Sequence, residues 1–244
     1  MESNEEDELL TVNSYGSHLK FSDNYFLTAL NLMNKKYPVL DLAVSFGFST
    51  KTLLADGFTV IANDLAEEHL DYLWNSVCKE DQSHLILKPG NALKLKLQDG
   101  SLGGIVALRF MHFLNGKEVR ELFNKYYNWL APHGVLVITC VTPYGPSYKK
   151  EYCEDKFKDA FKNGVEWPGE LFLKDVVVDN KDLSCLPEKI HVFSVEILIR
   201  ETIKAGFQIF KAGYQDLEGE KKDSITDKQN GFKKKNVSII AIKV

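Results

Sequence analysis

The chain has 244 residues, 44% of them hydrophobic and 26% charged, with a formal net charge of -4 and a pI near 5.9. This is the composition of a globular protein with ample core, and it excludes a low-complexity tail or a fibre. The acidic balance argues against a bulk electrostatic grip on nucleic acid, and no window approaches the roughly 18 uninterrupted apolar residues that a membrane-spanning helix needs.

The first eight residues, Met1 to Glu8, are acidic where a secretory signal would be basic, which predicts a cytosolic protein. Cys78, Cys140, Cys153 and Cys185 form no CxxC pair and no regular spacing, so neither a disulfide framework nor a metal site is expected. From Ser22 onward, Tyr25, Phe26, Ala29, Leu30, Leu32 and Met33 recur at helical spacing until Pro38 stops them. Val39 to Ala43 is an apolar run without polar alternation, read as a strand buried on both faces, and Ser49-Thr50 open a helix that Gly57 closes. Phe58 to Ala62 is a second strand ended by Asn63-Asp64. Glu67, Leu70, Leu73 and Val77 mark the next helix. Leu85 to Leu87 gives a third strand and Leu102 to Leu108 a fourth. Gly116 to Leu130 follows as a helix, and Val135 to Val141 is a fifth strand after a turn at Pro132-His133-Gly134. The alternation predicts a parallel sheet covered by helices on both sides.

Beyond Pro143 the rhythm breaks. A lysine-rich helical stretch carries Cys153, Phe157, Ala160 and Phe161 on one face, followed by Trp167-Pro168-Gly169, and the segment reads as an insertion. Trp167 is either an aromatic wall of a binding pocket or the anchor of this insertion, and His191 reads as a residue leading into the next helix. Phe193 to Ala205 is helical, Phe207 to Tyr214 is a strand, and a polar loop leads to a last strand, Val237 to Lys243. Two strands joined without a helix pair antiparallel. Lys233 to Lys235, within the loop, read as a solvated turn.

Ligands of open α/β sheets sit beyond the carboxyl ends of the strands, where strand order reverses. The first strand is followed there by a run of small residues, Ala43, Ser45 and Gly47. The second is followed by Asp64, 23 residues after Asp41 and close to the spacing at which a carboxylate reaches a ribose. A dinucleotide pyrophosphate demands more glycine at the closest approach than this loop has, whereas a nucleoside ligand tolerates Ala43 and Ser45 better.

Asp41-x-Ala43-x-Ser45-x-Gly47 resembles the first motif of class I S-adenosylmethionine-dependent methyltransferases. Asp64 matches the acidic end of that family's second strand, and Gly90-Asn91-Ala92 is similar to its Gly-Asp-Ala segment. Asp99-Gly100-Ser101-Leu102 matches the approach to the fourth strand, Leu108 to Leu114 the stretch after it, and Leu130 to Gly134 a turn before the fifth. The resemblance covers roughly Pro38 to Val141 and Val192 to Val244, including the terminal hairpin. It implies a Rossmann-like, doubly wound α/β fold with a seven-stranded sheet, mostly parallel with an antiparallel C-terminal hairpin strand. It also implies S-adenosylmethionine as cofactor. Asp41, Ala43, Ser45 and Gly47 would wrap its methionine half, Asp64 would bind its ribose and Asn91 its adenine, with Leu65, Ala92 and Arg109 further candidate contacts. Ala43, Ser45 and Asn91 depart from the family's usual Gly, Gly and Asp; an amide at Asn91 still offers a donor and an acceptor to a base edge.

Methyl transfer asks for alignment, water exclusion and, where the acceptor is protonated, removal of a proton. His112, just past the fourth strand, is the candidate catalytic residue; its competing role is packing. Tyr15 and His18 are candidate acceptor contacts from a leading segment, and Tyr144 is another after the fifth strand. One domain over residues 1–244 is expected, with a lid segment at 1–37 and an acceptor cap at 147–189. The absence of an Asn-Pro-Pro-Tyr-type run after the fourth strand, with the acidic pI, favours a small-molecule acceptor over nucleic acid, and no membrane partner is expected. An RNA or protein methyltransferase, a dinucleotide oxidoreductase and a non-catalytic binding module remain the alternatives.

Overall fold

The computed structural model describes residues 8–10, 17–19, 23–145, 148–177, 187–215 and 234–244. In chain order the elements are β1 (Glu8–Leu10), β2 (Ser17–Leu19), α1 (Asn24–Leu30), β3 (Val39–Leu42), α2 (Phe48–Ala55), β4 (Val60–Asp64), α3 (Glu67–Ser76), α4 (Lys79–Gln82) and β5 (Leu85–Pro89). They continue with β6 (Leu102–Leu108), α5 (Gly116–Trp129), β7 (Leu130–Val141), α6 (Lys156–Lys162), β8 (Glu170–Phe172), α7 (Leu173–Val176), β9 (Lys189–His191), α8 (Val195–Lys204), β10 (Phe207–Gln215) and β11 (Asn236–Lys243).

Seven strands form one sheet in the order β10-β11-β7-β6-β3-β4-β5. β5, β4, β3, β6 and β7 run parallel, whereas β11 pairs antiparallel with both β7 and β10. The expected α/β architecture and its antiparallel C-terminal hairpin are therefore present, and β11 lies inside the sheet between β7 and β10. Strand order reverses between β3 and β6, the position at which connections diverge and leave a crevice.

The pleat sends alternate residues to two cores. Leu40, Leu42, Ile61, Ile105, Leu136, Ile138 and Ile239 face α5, α8 and the insertion, through Val119, Phe123, Ile197, Leu198, Cys153 and Phe157. Val39, Val60, Ala62, Val106, Val137 and Ile240 face Tyr25, Phe26 and Ala29 of α1, Leu53 of α2, and Leu70 and Leu73 of α3. The portion of residues 1–37 from Asp23 onward is thus packed into the sheet. Asp23 caps α1 through the N-H groups of Tyr25 and Phe26 and also accepts the Thr139 hydroxyl at 2.6 Å. α5 starts in a capping box, with Asn115 Oδ1 accepting from Glu118 N at 3.1 Å and Glu118 Oε2 accepting from Asn115 N at 2.9 Å.

β5 and β6 are joined without an α-helix, through one 3-10 turn, Ala92–Lys94. Two local expectations change. Pro132-His133-Gly134 does not precede the fifth strand but lies within it, as a bulge at which pairing slips between Leu102 and Gly104 and His133 takes φ 63°. His191 ends a strand instead of leading into a helix, because β8 and β9 pair antiparallel and α8 begins only at Val195.

Candidate active site

Two loops leave the sheet on either side of the reversal point, and both begin with backbone in the left-handed region. After β3, Ala43 (φ 53°), Ser45 (φ 48°) and Gly47 (φ 79°) take this conformation at alternate positions; after β6, Arg109 does so (φ 54°). Non-glycine residues pay roughly 1–2 kcal/mol for such a φ, and strain of this kind concentrates at ligand sites. The loop is held from below. Asp41 is 1% exposed and its Oδ2 accepts the hydroxyls of Ser49 at 2.7 Å and Thr50 at 2.6 Å, so it fixes the first turn of α2. Burial raises its pKa to about 6; the two hydroxyls oppose the rise and Asp64 nearby adds to it.

Asp64 stands at the carboxyl end of β4. Its Oδ2 accepts the Ser45 N-H at 2.8 Å, and its Oδ1 accepts the Ala66 N-H and His69 Nδ1, both at 3.0 Å. Burial works against ionisation, but these bonds outweigh it and hold Asp64 below the ordinary carboxylate value. Next to it Asn63, 2% exposed, ties β4 to β5 by donating to the carbonyls of Lys88 at 2.7 Å and Gly90 at 2.9 Å. Beyond these ends lies a cleft of about 380 Å³ lined by Leu65, Ala66, Glu67, Glu68, Pro89 and Gly90. Leu65 is 57% exposed on its wall. Asn91 is exposed and caps the following turn, its Oδ1 accepting from Leu93 N at 2.8 Å, which leaves its amide N-H groups available; Ala92 beside it is buried.

Across the reversal point, His112 sits in the 3-10 turn Met111–Phe113, 8% exposed, and its Nδ1 has no partner. Burial, with the positive charge of Arg109 and the nearby His191, lowers its pKa to about 3, so the ring is neutral at ordinary pH. His191 donates from Nδ1 to the Leu114 carbonyl at 2.9 Å, and burial lowers its pKa to about 4. The Tyr148 phenol is pushed above its ordinary value by burial, with Arg109 opposing.

The candidate residues therefore fall in separate places. Asp41, Ala43, Ser45, Gly47, Asp64, Leu65, Asn91 and Ala92 gather at the ends of β3, β4 and β5, and Arg109 and His112 stand after β6. Tyr144 packs edge-on against Tyr214 at 5.8 Å, with the Lys234 ammonium 5.5 Å from its ring. Tyr15 lies outside the described residues, and of His18 only the backbone is described, paired with Leu9. Trp167 packs on the start of α5: its indole lies against Gly116, and the guanidinium groups of Arg120 and Arg200 lie 5.1 and 4.8 Å from its ring. Sequence reasoning passed over Asn63 and His69, whose only signal was a polar side chain at a buried position.

Among the described residues no cluster of three or more His, Cys, Asp or Glu is placed to hold a metal, and no helix is long and apolar enough to cross a membrane. The ionised Asp64 has unused acceptor capacity, Ser45 Oγ is buried without a partner within the loop, and an exposed leucine lines the adjoining cleft.

Residues 40–138 match a family model described as "Methyltransferase domain". Among solved structures, an S-adenosylmethionine-dependent methyltransferase from Methanosarcina mazei is 18% identical, with 88% of this chain and 95% of that one covered and a TM-score of 0.63. One from Mesorhizobium loti is 14% identical, covering 89% and 97% at a TM-score of 0.60. The glycopeptide N-methyltransferase MtfA, bound to S-adenosylhomocysteine, is 14% identical, covering 99% and 94% at a TM-score of 0.60. No curated protein matches the chain. The matched residues run from β3 into β7, and the sheet order around them is that of the fold which these solved structures share.

Proposed function

We propose that the protein transfers the methyl group of S-adenosylmethionine to a small-molecule acceptor held between the loop after β3 and the turn after β6. The observation that carries the reading is the pair of left-handed backbone breaks at Ala43-Ser45-Gly47 and Arg109, at the carboxyl ends of the neighbouring strands β3 and β6 where strand order reverses, beside a carboxylate locked in place at Asp64. When bound, the cofactor supplies an activated methyl on a sulfonium. The chain's residues do the rest. Ala43, Ser45 and Gly47 bring backbone close to the methionine half, with Asp41 acting through the helix turn it fixes. Asp64 accepts from the ribose, Leu65 and Ala92 flank the base, the Asn91 amide donates to it, and Arg109 borders the pocket.

His112 is read as the group that orients the acceptor. A neutral imidazole with a pKa lowered to about 3 accepts a hydrogen bond well but holds a proton poorly, so it positions an O-H or N-H in line more than it removes its proton. Residues 147–189 form the acceptor cap within one domain, with β9 laid on the turn that carries His112; the segment ahead of Asp23, with Tyr15 and His18, supplies the lid, and Tyr144 flanks the acceptor side. The net charge of -4 favours a small acceptor over nucleic acid.

The test is a panel of small amines, carboxylic acids, alcohols and phenols, with an RNA arm and a peptide arm, followed by release of S-adenosylhomocysteine. Turnover of a small molecule is expected. Turnover of RNA or peptide alone would replace the acceptor assignment, and calorimetric binding of S-adenosylmethionine without any turnover would make the chain a binding module.

A further inference from the structure

We infer that His69 is a positioning residue for the ribose carboxylate and that it leaves Asp64 one free acceptor site, so that Asp64 grips a single ribose hydroxyl. The inference rests on the reading of Asp64 as the ribose-binding group. An ionised carboxylate offers about four acceptor sites, two on each oxygen. Oδ1 has both of its sites filled, by the Ala66 N-H and by His69 Nδ1 at 3.0 Å each. Oδ2 has one site filled, by the Ser45 N-H at 2.8 Å. A grip on both hydroxyls of a ribose through both oxygens needs an open site on each, and only Oδ2 has one.

The carboxylate accepts only, so His69 Nδ1 carries the hydrogen. The ring cannot swing away. His69 is 1% exposed, and the Phe46 ring stands edge-on to it at 5.3 Å, itself edge-on to Tyr72 at 5.0 Å. Asp64 is thereby oriented from two elements at once, the loop after β3 through Ser45 and helix α3 through His69. The loop that approaches the methionine half and the helix that follows the ribose carboxylate are joined through one side chain.

The test is calorimetry on the full chain with S-adenosylhomocysteine and its 2′-deoxy and 3′-deoxy analogues, for the wild type, Asp64→Ala, His69→Leu and His69→Asn. In the wild type one analogue loses about tenfold in affinity and the other less than about threefold, as expected for one charged hydrogen bond. Asp64→Ala abolishes this difference. His69→Leu weakens S-adenosylhomocysteine several-fold and blurs the difference, and His69→Asn, whose amide nitrogen takes the place of Nδ1, restores it. Melting temperatures report whether each variant folds; if His69→Leu does not, the analogue pair with His69→Asn decides.

Equal penalties for the two analogues would overturn the single-site claim, and His69→Leu binding as the wild type does would overturn the positioning role. Unchanged affinity in Asp64→Ala would instead overturn the ribose assignment beneath both.

Discussion

The indole of Trp167 lies against Gly116 so closely that a β-carbon at Gly116 would meet the indole Cδ2 at 2.1 Å. This contact joins the insertion to the first turn of α5, and it continues outward through Arg120 and Arg200, which flank the ring, to Glu201. Trp167→Ala is expected to cost about 1–3 kcal/mol, below the full-burial range because the ring is half-buried. It should speed proteolysis within residues 148–177 while leaving S-adenosylmethionine affinity within about twofold. Proteolysis at the wild-type rate would show that something else fastens the insertion.

Glu201 is 1% exposed and receives Arg120 Nε at 2.9 Å, Arg120 Nη2 at 3.1 Å and Arg200 Nε at 2.7 Å. Glu201→Gln keeps the shape and removes the negative charge that pairs with two guanidinium groups. Since the arginine side chains are 37% and 28% exposed, water screens part of the loss, and about 1–3 kcal/mol is expected from urea unfolding. A change under about 0.5 kcal/mol would mean that the network is replaceable by solvent.

The loop after β3 gives two substitutions of opposite sign. Ala43→Gly relieves a left-handed φ but adds freedom to the unfolded chain, for a net gain of up to about 1 kcal/mol. Gly47→Ala places a β-carbon 2.3 Å from Leu73 Cδ1 at φ 79° and should lose about 2–3 kcal/mol. If both variants move the melting temperature the same way, strain is not what distinguishes these positions.

Protonation sets a further expectation. His112 and His191 have folded pKa values lowered to about 3 and about 4, so their contribution is full above the unfolded histidine value of about 6.5 and drains away as pH falls through that window. Asp41, raised to about 6, acts oppositely: its contribution is present at low pH and is lost as pH rises through about 6. Stability should decline from pH 6.5 to 4.5, and Asp41→Asn should steepen that decline. A flat profile of melting temperature over this interval in both proteins would contradict the assignment.

His112→Ala should lower turnover at least tenfold once an acceptor is known, while cofactor affinity moves by less than about threefold. Equal activity in the variant would assign His112 to packing against Phe113, whose ring lies 4.1 Å away.

The sheet was legible in the chain because Val39 to Leu42, Val60 to Ala62 and Leu102 to Leu108 are apolar runs bounded by strong breakers, and burial on both faces leaves no other reading for them. Ala43, Ser45 and Gly47 could be picked out as a set because small side chains recur at alternate positions, and each has a left-handed φ. The short strands β8 and β9 could not be read in this way. With three residues each, their strand character comes from pairing with each other, and propensity over so short a stretch decides nothing. The bulge at His133 was hidden for a related reason: Pro-x-Gly marks a turn locally, and only the neighbouring β6 makes it part of a strand. His69 gave no signal beyond a polar residue on a helical face, since its role depends on Asp64 being five positions away and buried with it.

The position of β11 between β7 and β10 imposes an order on assembly. β10 precedes β11 in the chain, yet among the described residues its one neighbour in the sheet is β11. The earlier strand must therefore wait, with Phe207 and its edge unpaired, until the later one has been made. During biosynthesis that interval leaves an open strand edge, the feature by which nascent chains pair with one another and aggregate. Slowed translation between residues 215 and 236 should thus lower the soluble yield more than an equal delay before β6.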